Sequence, residues 1–231
     1  MKSARLCTLL VLLLMAGGVT MQGQGTAGTD FWVAFMPNYT DAGAPPVQLD
    51  LVVASRQLSL VTIENPRTGW MESVNVAAGE ATTINIPNEV AYFQDASDCV
   101  LDNALHVTCK DSISVFASND RTYSFDVFNV LPTHALGSVY ILQMYPSHAS
   151  PMKPDRFASE FAIVAVEDNT IVEIELTCDS QNGHYAHQPF TVALDAGQCY
   201  QLQSLRGGEG DLSGTRITAT NGKPIAVFAG D

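Results

Sequence analysis

Positive charge is scarce in this chain. Eleven Lys and Arg stand against 24 Asp and Glu, a formal charge of −13. A surface of that sign repels phosphate backbones and anionic lipid, which disfavours nucleic acid and acidic membrane surfaces as partners. Long apolar runs are missing too, so no segment is expected to cross a bilayer as a helix. Neither GxSxG, HExxH, the Walker pattern nor a strand-coupled GxGxxG occurs, which removes the sequence signs of a nucleophile elbow, a zinc-hydrolase helix and the common nucleotide cradles. No stretch sustains an apolar helical period with caps. A glycosidase needs only two carboxylates placed by its fold, and among 24 acids the sequence nominates no pair. No catalytic, cofactor-binding or metal-binding residue is assigned, and the chain is read as no enzyme.

What is present begins with a leader. Lys2 and Arg5 precede the run Leu6–Ala16, and small and polar residues follow up to residue 24. Eleven residues at 1.5 Å each fall short of a bilayer core of about 30 Å, so 1–24 reads as a secretory signal peptide that directs the chain outside the cell or to its surface. Its removal takes away two cations and no acid, so the charge moves from −13 to −15. Cys7 leaves with it. Four cysteines remain, Cys99, Cys109, Cys178 and Cys199; an even count in an exported chain suggests disulfides, with three possible connectivities. Proximity favours Cys99 with Cys109 and Cys178 with Cys199, while buried free thiols are the alternative. A zinc site is disfavoured, because no CxxC or matching His spacing occurs.

The remaining residues read as a repeat. LVVASRQLSLVTIE (51–64) falls on AIVAVEDNTIVEIE (162–175) at an offset of 111. VNVAAGEATTI (74–84) falls on VALDAGQCYQL (192–202) at 118, with Ala78 and Gly79 over Ala196 and Gly197. VTCKDSISVFA (107–117) falls on ATNGKPIAVFA (219–229) at 112, with five identities in eleven positions. The order is the same in both halves, and drifting offsets are what loop insertions produce. Each half alternates β-branched and aromatic residues between turn-forming stretches such as ENPRTG, AAGE, DAGQ and TNGKP. The expected fold is all-β: two tandem antiparallel sandwiches of Ig-like size, 25–132 and 133–231, packed together through the short join at Leu131–Thr133.

Several residues invite a site reading. His184 and His187 in HYAH, with Asp179, could clamp a metal on a helix, but a Gly- and Asn-containing loop makes a solvated hairpin tip the expectation. Glu209 and Asp211 in GGEGDLSG could ligate calcium, although the spacing is not that of an EF-hand and a mobile turn is expected. His106, His134 and His148 stand isolated and receive no role. In FWVAF, Phe31, Val33 and Phe35 share one face and Trp32 takes the other, as core anchors do. Trp70, in the turn-rich RTGWMES, is the recognition aromatic favoured by exposure, with packing over a sandwich end as the alternative. Asn38 heads an NYT sequon.

GTDFWVAFMPNY, CVLDNALHVTCKDSISVFASND, FDVFNVLPTHALGSVYILQMYP, SEFAIVAVEDNTIVEIELT and DLSGTRITATNGKPIAVFAGD together resemble the N-terminal domain of the IgGFc-binding protein family, across nearly the whole mature chain. The resemblance implies an extracellular binding or adhesion module without catalysis or cofactors. Its partner would be an extracellular protein or glycoprotein such as immunoglobulin Fc or a mucosal glycoprotein. It also supports a Cys99–Cys109 pairing and implies further domains downstream of residue 231. It carries over no ligand-contacting residue. The second expectation is a scaffold or stalk module of a larger surface protein, and the third a carbohydrate-active hydrolase.

Overall fold

The computed structural model describes residues 25–38, 45–93, 97–147, 157–206 and 210–230. The expected leader, His148 and Glu209 lie outside them. Strands are the main regular structure of the described residues, and every strand pair is antiparallel.

The first unit holds β1 (Ala27–Val33), β2 (Gln48–Ser55), β3 (Ser59–Asn65), β4 (Trp70–Val76) and β5 (Ala81–Ile86), then, after β6 (Cys99–Leu101), β7 (Leu105–Arg121) and β8 (Ser124–Val130). Its organiser is β7, at 17 residues far longer than the usual five or six. The first half of β7 lies between β1 and β3 and the second half between β8 and β2. Alternation runs through the whole strand, with Leu105, Val107, Cys109, Ile113, Val115 and Ala117 all buried on one face. They meet Leu49, Leu51 and Val53 of β2 and Val61 and Ile63 of β3 in one core. At the corner, Asp111 accepts hydrogen bonds from Ser59 Oγ at 2.9 Å and from Gln57 Nε2.

The second unit is a sandwich of two four-stranded sheets. It adds β9 (Val139–Ile141), β10 (Glu160–Ala165), β11 (Thr170–Glu175), β12 (Phe190–Leu194), β13 (Cys199–Gln203), β14 (Arg216–Ala219) and β15 (Ile225–Gly230). The sheet orders are β15-β10-β13-β6 and β12-β11-β14-β9. The unbroken run EFAIVA makes β10 buried at every position, as a strand covered on both faces requires. Phe161, Ile163 and Ala165 enter the core of this unit, while Ala162 and Val164 turn toward the first unit.

The pairings of the two halves correspond strand for strand. β2 lies between β5 and the end of β7, as β10 lies between β13 and β15. β3 lies between β4 and the start of β7, as β11 lies between β12 and β14. The register corrects the linear alignment in two places. Gly79 N–H donates to Ser55 O at 2.8 Å and Gly197 N–H to Ala165 O at 2.9 Å, so β2 matches β10 at 110 rather than 111. One extra residue in the second unit's next turn restores 111 for β3 and β11. A one-residue error inverts the faces of a strand, placing Leu51 on Ala162 instead of the core residue Phe161. Val107 likewise matches Ile217, and two extra residues in TNGKP then bring Val115 onto Val227. Those two residues split the counterpart of β7 into β14 and β15.

The expected boundary at 132/133 is crossed once. β6, from the first half of the sequence, pairs with β13 of the second unit, with Cys99 opposite Gln201 and Leu101 opposite Cys199. Asp98 anchors the crossing from a left-handed backbone conformation (φ 56°). Its carboxylate, 8% exposed, accepts from Tyr200 Oη at 3.1 Å and Ser180 Oγ at 3.2 Å, with His184 Nε2 at 3.4 Å.

This crossing also separates Cys99 from Cys109. Cys99 sits in the sheet of the second unit and Cys109 in the core of the first. Cys178 packs on the core side of the second unit and Cys199 on the opposite face of its sheet, toward the first unit. All four are free thiols in this structure.

Candidate binding cleft between the units

Trp32 shows why the units meet where they do. Its strand alternates, so Phe31, Val33 and Phe35 fill the first core while Trp32 and Ala34 face away. There they join Phe93, Ala162, Val164, Cys199 and Ala226 in a buried inter-unit cluster. Burying a large side chain contributes about 1.5–3 kcal/mol, so this cluster holds the units firmly.

At the rim of that cluster opens a cleft of about 380 Å³. One wall is β8, through Val127, Phe128 and Asn129; the other is β15, through Val227, Phe228 and Ala229; Trp32, Leu136 and Tyr140 close it. Phe128 and Phe228 meet edge-on inside it at 5.4 Å between ring centroids, and Phe35 supports Phe128 at 6.4 Å. Tyr140 Oη donates to Ile225 O at 2.8 Å and accepts from Gly137 N–H at 2.9 Å. Burial pushes the Tyr140 phenol above its ordinary range, so it stays a neutral donor at physiological pH. Asp126 is the single ionisable acid on the walls. The surface thus offers aromatic and aliphatic contact with few fixed charges, the composition of a protein-binding patch.

Behind Trp32 lies a polar depression that includes Asp30, His106, Thr133 and Glu167. His106 stacks on Trp32 at 4.2 Å and 9°. Its Nε2 lies 2.8 Å from Asp30 Oδ2 and its Nδ1 3.2 Å from Glu64 Oε1, and Thr133 Oγ1 donates to Asp30 Oδ1. Isolated among the motifs of the chain, His106 nonetheless buttresses the aromatic on which the units converge. Asp30 and Glu64 are both engaged by this one imidazole.

The other expected site residues are placed as follows. Trp70 opens β4 half-buried against the first core, so packing, not free exposure, describes it. His184 is no solvated tip, since it stacks on Phe190 at 3.6 Å and reaches Asp98, whereas His187 is exposed in a left-handed turn at φ 59°. Asp179 Oδ1 accepts from Ala186 N–H at 2.8 Å, and Asp211 Oδ1 from Ser213 N–H at 2.8 Å. Among the described residues no group of three His, Cys, Asp or Glu is arranged to hold a metal. Asn38 is half-buried and donates to Asn119 Oδ1 at 3.0 Å; the rest of its sequon lies outside the described residues. The cleft itself was missed, although its sign was in the letters: FDVFNV and IAVFAG each carry a Phe at the position that meets across it.

Residues 126–231 match the model of a protein family described as IgGFc binding protein. That segment belongs to this family. The match opens within β8 and runs through the second unit, so it contains both walls of the cleft, while Trp32 and β6 lie before it. It is shorter than the near-complete coverage suggested by the sequence motifs. No curated protein matches the chain. Among the described residues no helix is long and apolar enough to cross a membrane.

Proposed function

We propose that this chain is an extracellular, non-catalytic binding and adhesion module, exported by its leader, whose ligand is a protein or glycoprotein. The cleft between β8 and β15 is its recognition surface. The observation that carries this reading is that the IgGFc binding protein segment coincides with the two walls of an apolar, Phe-lined cleft. Immunoglobulin Fc is the first ligand to test, because the family's description names it. The charge of −13 argues against sulfated or sialylated mucins, which carry the same sign. The test is retention of the purified, folded chain on immobilised IgG Fc, with a mucin column beside it. Passage through both columns removes the ligand assignment. A second reading, a scaffold or stalk module, is favoured by the shared strand β6 and the inter-unit cluster, which make the joint stiff. Strong binding of any ligand by the isolated chain counts against it.

A further inference from the structure

We propose that Asn182 is a site of spontaneous deamidation, selected by the fold over the chain's other Asn-Gly pair, and that its conversion loosens the β6 crossing between the units. The inference goes beyond the binding reading and rests on no ligand.

The sequence holds two Asn-Gly pairs, Asn182-Gly183 and Asn221-Gly222. In such a pair the backbone nitrogen of glycine, having given its proton to solvent, attacks Cγ of the asparagine side chain, and no Cβ hinders its approach. The new N–Cγ bond closes a five-membered succinimide as the Cγ–Nδ2 bond breaks, and the departing nitrogen takes a proton from solvent and leaves as ammonia. Water then opens one of the two ring carbonyls. The product is aspartate or isoaspartate, the latter with the side-chain methylene inserted into the main chain. Water is consumed and ammonia released, and nothing else is required.

The two pairs differ in the availability of that nitrogen. Both asparagine side chains are held alike, Asn182 Nδ2 donating to Ser97 O at 2.7 Å and Asn221 Nδ2 to Asn169 O at 2.8 Å. All four residues are exposed, so access of water does not separate them. Gly222 N–H, however, donates to Ala219 O at 2.9 Å and closes its turn, which engages both the proton and the nitrogen. Gly183 N–H has no hydrogen-bond partner among the described residues. Gly183 also stands in open space, since a Cβ there would meet nothing within 4 Å.

The consequence of conversion is set by where Asn182 sits. The carbonyl it holds belongs to Ser97, whose Oγ donates to Asp98 Oδ2 at 3.1 Å and accepts from Gln203 N–H at 2.9 Å. Asn182 thus steadies the residues that lead into β6. An aspartate has no proton to donate and sets a carboxylate against the Ser97 carbonyl, beside the buried Asp98. In the isoaspartate product the lengthened main chain displaces His184, two residues on, from its stack on Phe190 and its approach to Asp98. Both products act on the anchor of the crossing, so the joint between the units weakens as the protein ages.

The experiment ages the purified chain in warm, mildly basic buffer and follows both Asn-Gly peptides by mass spectrometry, with isoaspartate counted by an isoaspartate methyltransferase. Deamidation is expected about fivefold faster at 182 than at 221, the factor that one typical hydrogen bond on Gly222 N–H makes in a rate. In urea, where the turns are lost, the two rates should converge. Asn182→Asp should melt below the fresh chain from the start, and Asn182→Gln, whose longer side chain resists ring closure, should keep its melting temperature on ageing. Deamidation at 221 as fast as at 182 in the folded chain, or a bias toward 182 that persists in urea, overturns the assignment of the site. An Asn182→Asp variant and an aged, isoaspartate-rich chain that both melt with the fresh protein overturn the loosening of the crossing.

Discussion

Gly79 and Gly197 are matched positions that provide an internal control for how the units press together. Both adopt left-handed backbone conformations, at φ 75° and 80°, and both donate to the end of the equivalent strand. A Cβ on Gly79 meets nothing within 4 Å, whereas one on Gly197 lies 2.8 Å from Pro66 Cγ in a turn of the first unit. Replacing either by Ala incurs the left-handed penalty of about 1–2 kcal/mol. Gly197→Ala adds overpacking against a rigid ring, about 1–3 kcal/mol more. At about 2–4 °C per kcal/mol for a chain of this size, Gly197→Ala is expected to melt about 2–12 °C below Gly79→Ala. Pro66→Ala in the Gly197→Ala background should recover most of that difference, the coupling a double-mutant cycle measures. Equal melting temperatures for the two single variants, or no recovery, would refute the reasoning, because the two positions differ only in what the second unit touches.

Other outcomes follow from the same geometry. Trp32→Ala, which empties the inter-unit cluster and uncovers His106, is expected to cost about 3–5 kcal/mol in urea unfolding, against clearly less for the half-buried Trp70. Asp98→Ala leaves the Tyr200 and Ser180 hydroxyls without their acceptor and forces Ala into a left-handed conformation; a loss of about 2–4 kcal/mol is expected, with Asp98→Asn milder. Burial pushes Cys199 and Tyr200 above their ordinary ranges, with Asp98 adding to the effect on Tyr200. The folded chain therefore keeps protons that the unfolded chain releases above roughly pH 8.5–10. Stability is full below that window and falls as pH rises through it, by about 1.4 kcal/mol per pH unit for each proton fully retained. Urea midpoints from pH 7.5 to 10.5 test this, and Cys199→Ala should flatten the slope. Iodoacetamide should leave native Cys199 unlabelled, since a buried thiol held protonated is a poor nucleophile.

Strand content and the two-fold repeat were legible because period-two alternation and turn chemistry are local properties. Leu49, Leu51 and Val53 announce an inward face without knowledge of what they face. Register was read less well, since the single extra residue after Ala165 leaves the composition of VVAS and VAVE alike while inverting which residues are buried. The crossing of β6 was not legible at all. CVL reads as a short strand, and nothing in its letters says that its partner lies about a hundred residues on, opposite Cys199 to Gln201. The crossing sets Cys99 and Cys109 in different units, while Cys178 and Cys199 share the second unit but lie on opposite faces of its sheet. The cleft is a relation between Phe128 and Phe228, each of which alone looks like any edge-strand aromatic. His106 was passed over because Asp30 and Glu64, its two partners, are brought to it by separate strands.

The loan of β6 bears on how the molecule comes apart. Two sandwiches joined by a short tether would melt in two steps, each with its own midpoint. Here the second sheet cannot keep β6 once the first unit opens, because the residues that follow β6 lead directly into β7, the spine of the first core. Nor can the second unit loosen without exposing Trp32 and Phe93. Three residues placed across a boundary turn two inherited halves into a single cooperative unit, and one transition in calorimetry, with matching calorimetric and van't Hoff enthalpies, is how that would register.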